Sequence, residues 1–299
     1  MGITLRHPRI VLNLQSFAPD EIHRMVEVAR FAEGHDIDDI SLSEHVLMSV
    51  DQTTNPTQAH NYLEAFPEPL VTFGALAAAT ERVRLVTGIL ISPLRPAALL
   101  AKQVATLHAL SHGRFVLGVS VSWDANEYAA LGVPFERRGR ILDDQLAACK
   151  VLWSGAPVSF ASDTVTFNNV ACQPRPRPGE EIPVWFGGVF GPRLLRRVSS
   201  LGHGWILTPA LGETVATLRP KIRQLREAME RAGRDPALLE VAAMPVQRAP
   251  DLKSTLECVP DMIEAGVNVF RFGTAGCRGV EEMRDVIQEL SAAFQPFRS

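Results

Sequence analysis

Residues 83–91 read VRLVTGILI, and residues 114–121 read RFVLGVSV. Both are nearly unbroken apolar runs rich in β-branched residues, as expected for strands covered on both faces in a parallel sheet. Between them Leu99, Leu100, Gln103, Val104, Leu107 and Leu110 recur at helical spacing, and His112-Gly113 ends that helix. Strand, helix and strand in that order form a parallel βαβ unit, because parallel neighbours need a long crossover connection.

The alternation extends in both directions. Upstream, residues 9–14 (RIVLNL) read as a strand. Pro19-Asp20-Glu21 opens a helix whose Ile22, Met25, Val26, Ala29 and Ala32 share one face. A weaker strand over 38–42 ends at Ser43-Glu44-His45. The polar stretch 49–62 is too long for a simple connector and reads as a functional loop, and an alanine-rich helix covers 68–80. Downstream, Leu142, Leu146, Cys149 and Trp153 mark a helix over 137–153. Residues 155–181 are proline-rich and irregular, with a short hairpin around 158–167. They read as an insertion, because strands at 182–186, 204–207, 239–246 and 267–272 then alternate with helices at 192–201, 215–229, 254–265 and 280–294. Pro220 is expected to begin or kink its helix. Eight strands and eight helices predict an α/β fold: a (β/α)8 TIM barrel, one domain over 1–299, with an insertion between strands four and five. An open doubly wound sheet is the alternative.

Composition narrows the function. The 299 residues carry 30 Lys and Arg against 33 Asp and Glu, a net charge of −3, so no basic excess points to nucleic acid or anionic lipid. The 4 cysteines lie far apart without a C-x-x-C pair, and the 8 histidines are scattered, so neither a disulfide framework nor a metal site is expected. The first residues lack the apolar core of a signal peptide, and no apolar run approaches ~18 residues. The expectation is a reduced cytoplasmic protein acting on a small molecule, away from membranes. Phosphate-loop, dinucleotide-binding, nucleophile-elbow and H-E-x-x-H motifs are all missing.

Three places sit just past barrel strands, where this fold carries its active sites. Glu44-His45 follows strand two: the histidine can pass protons or bond a cofactor ring, or it can be an ordinary loop histidine. In Thr87-Gly88-Ile89 the glycine marks either a bulge with close approach of another group or simple packing. The turn FGGVFGPR (186–193) holds Gly187, Gly188, Val189 and Gly191 before a helix. Its glycines can turn backbone N–H groups toward an anion, with charge added by Arg193, or can merely make a flexible turn.

Together these places resemble the bacterial luciferase-like monooxygenase superfamily, and most closely its F420-dependent oxidoreductase branch. Residues 82–144 carry the strand, the L-L-A-K helix (99–102), the G-R-F strand start (113–115) and the G-V-P-F-E-R-R-G segment (132–139) in order. Residues 182–206 add G-G and L-G-H-G-W-I. The resemblance implies a reduced flavin or deazaflavin across the barrel mouth, with His45 near the ring edge. Glu44 either orients or charge-couples that histidine or points away from the site. It implies Thr87, Gly88 and Ile89 as a bulge behind the ring, often with a non-proline cis peptide. It also implies phosphate at Gly187, Gly188 and Gly191, the cofactor tail along the residues after Gly118, and a homodimer or higher homo-oligomer. Relatives show Gly-x-Gly-x-Gly-Trp where this chain has Gly118-Val119-Ser120-Val121-Ser122-Trp123, so Ser120 and Ser122 either donate to the tail or narrow the groove. Arg137, Arg138 and Arg140 either charge the tail site or form a solvated helix start. The implied function is an oxidoreductase using F420 for hydride transfer. An FMN-dependent monooxygenase and a non-catalytic flavin-binding barrel are the alternatives.

Overall fold

Among the residues described in this computed structural model (7–14, 17, 19–50, 65–207, 213–245, 251–274, 276–277 and 279–298), parallel strands close on themselves. They are β1 (Arg9–Asn13), β2 (Asp39–Leu42), β3 (Arg84–Thr87), β4 (Phe115–Ser120), β5 (Val184–Gly188), β6 (Gly204–Leu207), β7 (Glu240–Ala243) and β8 (Val269–Gly273). Closure is made where Arg9 of β1 pairs with Val269 of β8, and each strand pairs in parallel with the next around the ring. The helices α1 (Met25–Gly34), α2 (Pro69–Ala79), α3 (Ala97–Leu110), α4 (Arg138–Ser154), α5 (Pro192–Ser200), α6 (Val215–Arg231), α7 (Val259–Ala265) and α8 (Val280–Phe294) follow in the expected alternation. The barrel read from the sequence is therefore the observed fold. The insertion is a two-stranded hairpin, Val158–Ala161 with Thr166–Val170.

Successive strand residues point inward and outward by turns. Outward residues such as Ile10, Leu12, Ile40, Leu85, Phe115 and Phe270 pack into the core under the helices. Inward residues make layers. Val11, Val86, Val116, Trp185, Ile206, Ala242 and Val269 form the apolar middle.

Below them, at the closed end, charged residues are paired inside the ring. Arg84 holds buried Asp39 through two bonds of 2.8 and 2.9 Å and reaches Glu240 at 3.1 Å. Arg9 also binds Asp39, and the Trp185 indole donates to Glu240 at 3.0 Å. Burial alone would raise the Asp39 pKa, but the charges of Arg84 and Arg9 outweigh it and hold the carboxyl below its ordinary range.

Three elements depart from the sequence reading. The run 83–91 breaks: β3 stops at Thr87, the Gly88–Ile89 peptide is cis, and Leu90–Ile91 then pairs further along β4. The helix read over 254–265 is two, Leu252–Leu256 and α7, because Pro260 lacks an N–H and fits only a first turn. α6 runs on through Pro220 instead of starting at it. The polar loop read over 49–62 lies outside the described residues from 51 onward, as does Val246 of the strand read over 239–246. Among the described residues no helix is long and apolar enough to cross a membrane.

The closed-end network makes a stability prediction. Asp39→Asn leaves two largely buried guanidinium groups, Arg9 and Arg84, short of a counter-charge, and the free energy of unfolding in urea should fall by about 3 kcal/mol. A carboxylate with a depressed folded-state pKa stabilises above its unfolded value and loses that contribution as pH falls through the folded one. Wild-type stability should therefore drop below about pH 4, and the drop should be shallower in Asp39→Asn.

Candidate active site

The open end of the barrel begins where β2 runs out. Glu44 is buried. It accepts from the Ile91 N–H at 2.7 Å and from Arg95 at 3.0 Å. Arg95 also binds Glu68, the residue whose side chain caps α2. Burial raises the Glu44 pKa, and Arg95 only partly offsets it. Glu44 thus ties the β2 loop to the segment after β3. Of the two readings of Glu44, these bonds favour the one in which it points away from His45.

The carboxylate beside His45 is Glu127, at 3.3 Å from Nδ1. Glu127 comes from the short helix Ala125–Ala130, which sequence reading missed, and it is buried. It also accepts from the Val46 N–H at 2.6 Å and the Leu47 N–H at 3.3 Å. One turn earlier, Asp124 caps that helix and binds Ser49 through its N–H at 3.0 Å and its hydroxyl at 2.7 Å. Two carboxylates on one short helix therefore fasten the loop that carries His45. The imidazole lies edge-on to Phe66 and Trp123, with ring centroids 5.2 and 5.9 Å away. Asp124-x-x-Glu127 is a helix-start spacing, and that was the available sequence signal.

The β3 break is fixed from several sides. Thr87 Oγ1 donates to Gly118 O and accepts from Gly118 N–H, both at 2.7 Å. Gly118 has to be glycine, because a Cβ there would lie 1.9 Å from Thr87 O. The Gly88 carbonyl accepts from the Ser43 hydroxyl at 2.9 Å and from Arg271 at 3.1 Å. Ser120 donates to Gly187 O at 3.1 Å, so its hydroxyl proton serves the β4–β5 seam. Ser122 adopts φ +54°, the left-handed backbone conformation that glycine takes without penalty.

After β5, Gly188 has φ +142°, and its carbonyl accepts from the Trp205 indole at 2.9 Å. Val189 is exposed, and Phe190 leans on Trp205. Gly191 precedes α5 with no side-chain cap, Pro192 opens the helix, and its first turn carries no acid. Helix N–H groups at such an end have no partner within the helix and attract anions. This donor set fits a phosphate. The arginines read as tail charges are dispersed. Arg138 stacks on Phe135 at 3.7 Å, and Arg140 pairs with Asp144 and Asp163 at 3.1 and 3.2 Å. Arg137 lines a separate cleft of about 470 Å³ with Arg95, Gln145 and Thr164, whose lining includes neither His45 nor the β3 break.

Ser122 gives a direct test of the backbone at the mouth. Left-handed backbone costs a non-glycine residue about 1–2 kcal/mol, part of which glycine's unfolded-state freedom offsets. Ser122→Gly should raise the unfolding free energy by up to about 1 kcal/mol, while Ser122→Val should lower it by about 1–2 kcal/mol. Urea denaturation of both variants measures this.

The family model described as Luciferase-like monooxygenase matches residues 5–250. An uncharacterized protein of Mycobacterium tuberculosis is 29% identical over 272 residues, covering 88% of this chain and 91% of that one. The F420-dependent glucose-6-phosphate dehydrogenase of Kineococcus radiotolerans is 30% identical over 226 residues, 74% of this chain and 61% of that one. The FMNH(2)-dependent dimethylsulfone monooxygenase of Pseudomonas putida is 30% identical over 155 residues, 51% of this chain and 41% of that one. Among solved structures, an F420-dependent secondary alcohol dehydrogenase in complex with an F420-acetone adduct superposes with a TM-score of 0.76 at 19% identity, covering 96% of this chain and 99% of the other, which shows a shared fold. The match over residues 5–250 decides the family: this chain belongs to the luciferase-like monooxygenases, a family of oxidoreductases with F420-dependent and FMN-dependent members.

Proposed function

We propose that this protein is an oxidoreductase that uses reduced F420 in hydride exchange with a small organic substrate at the open end of its barrel. The observation that carries the reading is His45, held at the mouth by buried Glu127 and flanked by Phe66 and Trp123. It is supported by an uncapped α5 N-terminus behind three glycines on the β5 side. When bound, the cofactor supplies the hydride chemistry; the protein supplies position and a proton path.

The residues divide that work. Glu127 holds His45 Nδ1 and the two N–H groups that follow, so the ring is oriented before any ligand arrives. His45 holds and moves a proton at Nε2. Thr87, Gly88 and Ile89 support the cofactor ring. Gly187, Gly188, Val189, Gly191 and the first turn of α5 receive its phosphate, with Arg193 adding charge. Ser120 and Ser122 border the tail groove. Glu44 acts through Arg95 on the loop and not on the reaction.

FMN is the competing cofactor, favoured by the similarity to an FMNH(2)-dependent monooxygenase. The two share a tricyclic ring, a ribityl chain and a phosphate. F420 reacts poorly with oxygen and extends past its phosphate into a carboxylate-bearing tail. Titration with F420 and FMN, each oxidised and reduced, should show tighter binding of F420. Equal or tighter binding of FMN with oxygen-dependent turnover would make FMN the cofactor and oxygen a co-substrate. With a turned-over substrate, His45→Ala should lower kcat by about 10²-fold or more at unchanged Tm, the size expected for a positioned acid–base group. Wild-type kcat in that variant would remove His45 from the chemistry.

A further inference from the structure

Among the described residues, the inward-facing arginines of the closed end, Arg9 and Arg84, meet carboxylates, and Arg271 at the open end does not. Arg271 lies in β8 opposite Val11, so both side chains point into the ring. Its guanidinium crosses the barrel to donate to the Gly88 carbonyl, just past β3, at 3.1 Å. That bond uses one of five N–H groups.

The acids around the mouth are committed elsewhere. Glu44 binds Arg95 and the Ile91 N–H. Glu127 binds His45 and two backbone N–H groups, and Asp124 binds Ser49 and its own helix. Asp39 and Glu240 belong to the closed end. Among the described residues no carboxylate pairs with Arg271. Burial pushes its pKa down to about 10, so it stays protonated at neutral pH. Yet Arg271 is only partly buried. Beside it, the Ser41 hydroxyl is buried without a hydrogen-bond partner among the described residues. Arg271 Nη2 and Ser41 Oγ converge under Gly88, 3.4 and 3.3 Å from the point where a Cβ would stand.

We propose that Arg271, with Ser41 beside it, is the seat of a planar organic anion on the floor of the mouth. The anion is a carboxylate on the substrate or the deprotonated ring of a reduced cofactor. Either spreads one negative charge over coplanar atoms, which a guanidinium meets with a fork of N–H groups. The proposal rests on the mouth being where small molecules react, but it does not depend on which cofactor is used. It also explains how a cation is retained without a protein counter-charge: the ligand brings one.

The test uses the purified full chain, wild type and Arg271→Met, in calorimetric titrations. Benzoate and benzamide, alike in size and differing in charge, probe the substrate source. F420 and FMN, oxidised and reduced, probe the cofactor source. A preference for benzoate of about tenfold or more, the size of one charge-assisted hydrogen bond, lost in Arg271→Met, assigns the anion to the substrate. A loss of about tenfold confined to the reduced cofactor assigns it to the ring. If Arg271→Met preserves both affinities, the seat is overturned. Should that variant not fold, Arg271→Lys replaces it, since it keeps the charge and loses the fork. Wild-type protein showing no preference for benzoate over benzamide, and none for reduced over oxidised cofactor, overturns the proposal without any variant. Failure of cofactor binding alone would count against the proposed function and leave the benzoate comparison intact.

Discussion

A charge placed inside a barrel must be matched there, because the surrounding side chains solvate it poorly. This molecule meets that constraint in opposite ways at its two ends. At the closed end Arg9, Asp39, Arg84 and Glu240 neutralise one another across four strands, and the Trp185 indole completes the set. The bonds link β1, β2, β3 and β7 from within, so they reinforce the closure that backbone pairing makes. At the open end the polar groups are aimed at connecting loops and at the space above the apolar middle layer. One end is settled by the protein alone, and the other is where we propose that a ligand binds.

The open end owes its shape to carboxylates that bind backbone N–H groups. Glu44 takes the Ile91 N–H, Glu127 takes those of Val46 and Leu47, and Asp124 takes that of Ser49. Each is a charge-assisted bond, worth more than a neutral one and most effective where water is excluded. Together they fasten the loop after β2 to the segments after β3 and β4. His45 is positioned as a consequence. In a TIM barrel the catalytic face is made of loops, so the precision of the site depends on ties of this kind.

Much of the barrel was legible because its strands are continuous apolar runs and its helices are periodic: 204–207 and 280–294 were read with the observed bounds. Pattern reading failed where apolar character continued through a change of direction. Residues 83–91 look like one strand because Gly88 and Ile89 do not interrupt hydrophobicity, although the glycine did mark the place. The site was less legible. His45 was picked out from its position after a strand, but the carboxylate bonded to it, Glu127, lies 82 residues away, a distance that no local pattern bridges. Arg271 left a signal that went unread. A charged residue at an inward position of V-F-R-F-G breaks the apolar alternation and asks for a counter-charge. Which groups answer it depends on chain closure, which no local pattern contains.

The central claim is that the open end, and not the cleft beside α4 or any outer surface, receives the cofactor. Hydrogen exchange with and without reduced cofactor tests it directly, because backbone amides report where a ligand reduces local opening. The account predicts slowed exchange at residues 44–47, 88–91, 120–123 and 187–195, with exchange at 9–10, 39–40 and 240–241 unchanged. Binding that slows exchange around 93–97, 131–137 and 163–165, leaving the open end as it was, would contradict it.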